Sequence, residues 1–370
     1  MSSFTAEPPL VAAAEPRGDR LPPCPSLLSH PLRAIGWLVT LAAGIASLLL
    51  LLAVLAAIPV ASFLALGYML EAEGRLVRSG RLRDGLPCAG LLPRLGASVL
   101  GVWLSLLVVR LVARVAADAA VVDPGSAAAT AWERARVATA CGAGIHVALA
   151  LFAGGTLLAF FRPLRNARLF LAALRDGTAW SRAAGALEGV LAVVQPARLF
   201  WLGLRGWLGA FAWVVVPTVL FSALRHTRRP VEVIVTLLGA ILLAVLLPAV
   251  PFLQAGFAAE GRLAAFRDVA GVRELWRRAP FLMLAAVVVL YGLSLPLSLF
   301  KVLVPPRDAL LFITPIFVVT IFPARLFVGW ATGVARRRQR RAWPAARLLA
   351  TAVLLPLMAL FLFLLFLTPT

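Results

Sequence analysis

Lysine is almost missing from this chain: of its 36 basic residues all but Lys301 are arginine, and only 16 acidic residues stand against them, leaving a net charge of +20. Cysteine is equally scarce. Cys24, Cys88 and Cys141 form no CxxC pair, and their odd number excludes a complete disulfide framework, so they read as unpaired residues. The three histidines, His30, His146 and His226, are too far apart in sequence to suggest a metal set. His146 alone falls in an apolar run and reads as a hydrogen-bonded packing residue. No P-loop, nucleophile elbow, HExxH pair or phosphate-cradling glycine pattern occurs with its required flanks. No catalytic residue, metal or cofactor is therefore expected.

What the chain has in abundance is apolar length. With 62% hydrophobic residues and a mean hydropathy of +0.94, its 370 residues hold too few polar groups to coat a soluble domain. Uninterrupted runs of about 20 residues match a hydrocarbon core of about 30 Å, and their lack of alternation excludes a β-barrel. The expected fold is all-α: a polytopic transmembrane bundle of eight spans. These lie near 33–58, 96–121, 143–161, 206–224, 231–257, 281–300, 309–330 and 348–367. Residues 1–33, rich in proline and without an apolar core segment, read as a disordered tail.

The arginines explain themselves by position. With eight spans, the odd-numbered loops hold 23 basic residues, while the tail, the even loops and the C-terminus hold 10. This is the positive-inside pattern, which places the odd loops in the cytosol of a cell-membrane protein and makes nucleic acid an unneeded partner. The expected partners are membrane lipids, with anionic headgroups at the basic loops. Within 162–205, Arg168 and Arg175 flank an apolar stretch, suggesting either an amphipathic surface helix or a simple connector.

One stretch occurs twice. PVASFLALGYMLEAEGRL, starting at Pro59, is matched by PAVPFLQAGFAAEGRL, starting at Pro248. Pro59, Gly67, Tyr68, Glu73 and Arg75 correspond to Pro248, Gly256, Phe257, Glu260 and Arg262, with a two-residue gap. The expectation is two parallel four-helix repeats, at 34–224 and 231–370, in which each stretch is a membrane exit where charges surface. The Glu-Gly-Arg triplet of each copy reads as an interface ion pair. Pro59 could mark a kink in one long helix or the turn of a hairpin. Length prefers the kink; charge, which would then split 26 to 7, prefers the hairpin.

Residues 59–87 resemble a family of bacterial and archaeal multi-pass membrane proteins classed as a domain of unknown function. The residues that carry the likeness are Pro59, Gly67, Tyr68, Arg75 and Leu86-Pro87. The second copy has Phe257 for the tyrosine and lacks the Leu-Pro. The resemblance implies membrane location and architecture, and no activity.

No acidic residue falls in the middle of an expected span, which argues against coupling to protons through a buried carboxylate. Arg325, just after Pro323 in the seventh span, is the leading candidate for an anionic headgroup or solute. Its plainer reading is a cap for carbonyls freed by the kink, or a snorkelling side chain. Arg110 and Arg114, one turn apart in the second span, are the other candidates. Two function classes stay open. One is a non-enzymatic permease-like, lipid- or anion-handling component or a scaffold for partner proteins; the other is a membrane-embedded enzyme on lipid-linked substrates.

Overall fold

The computed structural model describes residues 31–223, 230–302 and 310–364, and among these it is helical without strands. The tail at 1–30, with Cys24 and His30, and the basic turn with His226 at 224–229 lie outside the described residues. The helices are α1 (Pro31–Ala57), α2 (Ser62–Ser79), α3 (Leu92–Val122), α4 (Ala127–Phe152), α5 (Leu157–Phe160), α6 (Pro163–Arg175) and α7 (Ala179–Val194). They continue with α8 (Pro196–Phe221), α9 (Pro230–Leu246), α10 (Val250–Glu260), α11 (Val269–Arg278), α12 (Pro280–Val302), α13 (Leu310–Arg337) and α14 (Pro344–Leu362). Six stretches are long and apolar enough to cross a membrane, or up to eight if two bent pairs each count as one span. Those pairs are Pro230–Leu246 with Val250–Glu260, bent by 46°, and Val269–Arg278 with Pro280–Pro296, bent by 111°. The first bend falls at Pro248, where the ring removes a backbone donor. The carbonyl of Leu247 left at that break accepts a 2.7 Å hydrogen bond from the Tyr291 hydroxyl.

The described helices gather into two units that do not follow the halves of the sequence: residues 31–45 with 88–194, and residues 46–87 with the described part of 195–364. In the first, α3 and α4 form a helical hairpin. The sequence suggests a loop of some twenty residues here, but the chain turns at Asp123-Pro124-Gly125 and the Ser126 side chain already caps α4 by accepting from the Ala129 amide at 3.1 Å. The 31 residues of α3 reach about 46 Å at 1.5 Å per residue, well beyond the hydrocarbon core. Arg110, Arg114 and Asp118 occupy its second half. Asn166 anchors α6 by donating to the Ala159 carbonyl at 2.7 Å, leaving Leu164, Leu171, Arg168 and Arg175 exposed. His146 packs edge-on to Phe160 at 6.2 Å; the contact is aromatic where a hydrogen bond was expected.

In the second unit α2 is the central element, packed against α8, α10 and α13. α1 ends at Ala57 and the Ser62 amide donates to the Ile58 carbonyl at 2.8 Å, so the helix resumes within four residues of the break at Pro59. The stretch expected to surface after Leu70 does the opposite. α2 continues to Ser79, and from Ala65 to Val77 nearly every side chain is buried, Glu71 and Glu73 included. Glycine makes this crossing close: a methyl on Gly67 would overlap the Leu199 carbonyl of α8, and one on Gly74 would overlap the Ala258 carbonyl of α10. Phe63 meets Phe200 and Trp207 of α8 edge-on, at 5.8 and 5.9 Å between ring centroids. Tyr68 donates to the Pro87 carbonyl at 2.8 Å, tying the Leu-Pro end of the family-like segment back onto its Gly-Tyr.

Candidate functional site

Two residues apart on α2, Glu71 and Glu73 are rotated by about 200° about the helix axis and so face opposite neighbours. Glu71 shares its face with Arg75 and Arg78, one and two turns on. One of its oxygens accepts from Arg75 Nε at 3.1 Å and from Arg78 Nη2 at 3.3 Å, and the other from Arg198 Nη2 at 3.1 Å. Arg198 arrives from the first turn of α8, which starts at Pro196 after Gln195 in a left-handed conformation (φ 49°). The Gln195 side chain steadies that guanidinium, accepting from Nη1 at 3.1 Å.

Glu73 faces α13 instead. Its carboxylate, 1% exposed, accepts from Arg325 Nη2 at 2.7 Å, and the arginine side chain is itself only 14% exposed. The seventh-span arginine therefore neither caps the Pro323 kink nor snorkels; it neutralises a buried carboxylate 252 residues away. Glu73 is thus buried where the charges of this stretch were expected to surface, in a helix that is not among those long and apolar enough to cross a membrane. Among the described residues the arginine's Nε is buried without a partner. Taking two ions out of water is costly, and the pair is tolerated because each is the other's counter-charge.

The Glu-Gly-Arg triplets do not form the expected internal pairs alike. Glu73 turns to Arg325 and Arg75 to Glu71, whereas Glu260 stands 3.9 Å from Arg262 and 3.6 Å from Arg336, both beyond hydrogen-bond range. Arg110 and Arg114 are exposed on α3 and make no ion pair among the described residues.

The basic helix exits have a second use besides topology. The last carbonyls of a helix lack intrahelical donors, and a nearby cation suits their partial charge. Arg78 of α2 donates to the Ala258 and Ala259 carbonyls at the end of α10, at 3.3 and 3.0 Å. Arg337 of α13 donates to the Arg78 carbonyl at the end of α2, and Arg278 of α11 to the Arg336 carbonyl at the end of α13, at 3.2 Å. Each arginine thus closes a neighbour's helix, and the partners lie too far apart in sequence for spacing to reveal them.

Chemically, the Glu71 cluster sets three guanidiniums on one carboxylate. Arg198 and Arg78 keep 61% and 45% of their side chains exposed, so both present positive charge at the surface. Planar guanidinium forks of this kind suit phosphate oxygens. Among the described residues no group of three or more His, Cys, Asp or Glu is placed to hold a metal ion. Comparison with protein families, with curated proteins and with solved structures finds no match for the chain.

Proposed function

We propose that this multi-pass membrane protein is a non-enzymatic lipid-handling component that holds anionic headgroups at the Glu71 cluster, with the basic helix ends on the cytosolic side. The observation that carries the reading is the pair of exposed cations: Arg78 and Arg198 share the Glu71 carboxylate with Arg75, and both remain open to the surroundings. The likeness of residues 59–87 to a multi-pass family, and the parallel-repeat reading of the two matching stretches, belong to the same proposal. Solute passage between the matching stretches is not part of it, because Gly74 and Ala258 meet backbone to backbone there.

The test is retention of phosphatidylglycerol against phosphatidylcholine by the purified protein in mixed-lipid nanodiscs. Arg198→Gln removes one exposed cation while leaving Glu71 two partners, and should lower phosphatidylglycerol retention about fivefold, the worth of roughly 1 kcal/mol per basic residue at an anionic surface. Unchanged retention would sink the reading.

A further inference from the structure

Gly67 and Gly256 hold the same place in the two matching stretches, but only one of them is covered by a helix. At Gly67 the backbone of α8 closes the space; at Gly256 an added methyl would meet nothing but a guanidinium nitrogen of Arg336, at 3.3 Å. Beside it opens a cavity of about 250 Å³, framed by α10, α11 and the end of α13. Phe252, Val272 and Leu275, all buried, give it an apolar floor.

The charges on its wall fall into two sets. Glu274 and Arg278 are joined at 3.1 Å, and Arg341 adds a second bond to the same carboxylate at 3.0 Å. Glu260, Asp268 and Arg336 are not matched in this way. The Arg336 guanidinium makes no hydrogen bond among the described residues, its nearest carboxylate being Glu260 at 3.6 Å. Asp268 uses Oδ1 to accept from the Gly271 amide at 2.8 Å, which leaves Oδ2 for another donor. One cationic fork and two carboxylates with spare capacity therefore surround a small apolar floor.

We infer that this cavity binds a small zwitterion: an acidic group on the Arg336 fork, a primary ammonium between Glu260 and Asp268, and a short apolar body on the floor. A free apolar amino acid and the headgroup region of phosphatidylethanolamine both offer that chemistry. The site shares no lining residue with the Glu71 cluster, and an anionic headgroup without an ammonium would leave its carboxylates unmatched.

Isothermal titration of the full-length protein in dodecyl maltoside, with leucine and with dihexanoylphosphatidylethanolamine as the two probes, decides the matter. The expected result is saturable one-to-one binding of at least one of them. Arg336→Gln and Glu260→Gln should each weaken it about tenfold or more, as loss of a charge-assisted contact does, while Arg168→Gln, exposed on α6 and outside the cavity lining, leaves it unchanged. Binding of leucine alone identifies a free solute, and binding of the lipid alone a headgroup. Arg336→Lys, which keeps the charge and loses the fork, gives an intermediate loss and serves if the glutamine variant does not fold. Three outcomes overturn the inference: neither probe binds, isoamylamine without an acidic group binds as well as leucine, or the variants bind as the parent does. Loss of phosphatidylglycerol retention in Arg198→Gln with leucine binding intact keeps this site distinct from the proposed anionic one.

Discussion

α2 and α10 are written in closely matching letters, yet their surroundings differ. Around α2, backbone from α8 and α10 touches Gly67 and Gly74, and two buried carboxylates are each answered by arginines from elsewhere in the chain. α10 is shorter, ending where Gly261 takes a left-handed conformation (φ 70°), and its own Glu260 and Arg262 are exposed and loosely paired. The glycine that aligns with Gly261 is Gly74, which sits inside the helical run of α2; that helix ends only at Gly80 (φ 66°). An identical Glu-Gly-Arg triplet is thus helix interior in one stretch and helix end in the other. Burial of a charge is decided by whether a counter-charge arrives from another element, not by the local letters.

The sharpest way to break this contrast is to remove the counter-charges. Arg325→Ala leaves Glu73 buried and unpaired, and should cost about 3–5 kcal/mol in unfolding from mixed micelles. Glu260→Ala in the second stretch removes only loose, exposed pairs and should leave the unfolding midpoint within error. Equal losses at both positions would mean that the two triplets are energetically alike after all.

Glycine gives the next comparison. Gly67→Ala forces a methyl into the α8 backbone and should destabilise by about 1–3 kcal/mol or prevent assembly, whereas Gly256→Ala faces the open cavity and should leave stability unchanged. A destabilised Gly256→Ala would show that the second position is as tightly closed as the first.

Smallest is the effect of the tyrosine. Tyr68→Phe turns the first stretch into the second at that position and gives up the bond to the Pro87 carbonyl, for about 1 kcal/mol. Thermal unfolding followed by near-ultraviolet circular dichroism measures it, and no shift would assign the Gly-Tyr to packing alone.

Much of the architecture was legible in the order of residues. Apolar length marked most of the membrane-length helices and Pro248 marked a bend, because each is a local property of the chain, although the expected third span, 143–161, runs across the break between α4 and α5. Hydropathy alone hid the helical content of 122–142, since Glu133, Arg134 and Arg136 suit a helix as well as a loop once the helix outruns the membrane. The candidate site was half legible. Arg325 stood out as an intramembrane cation, and Glu71, Arg75 and Arg78 already share a helical face, but Glu73 was read as a surface charge. Its arginine lies 252 residues on, and Arg198 lies 127 residues from Glu71, so neither partnership leaves a spacing signal.

By itself, then, the sequence determined a helical membrane protein, the proline-marked breaks at Pro59 and Pro248 and a large excess of arginine over acidic residues. Helix formation in apolar surroundings follows from backbone groups that must be satisfied within the segment. Which charges are buried, which carbonyls the arginines cap and which of two like glycines is left beside a cavity were decided only by tertiary structure. Those outcomes depend on distances between elements that sequence does not set in order.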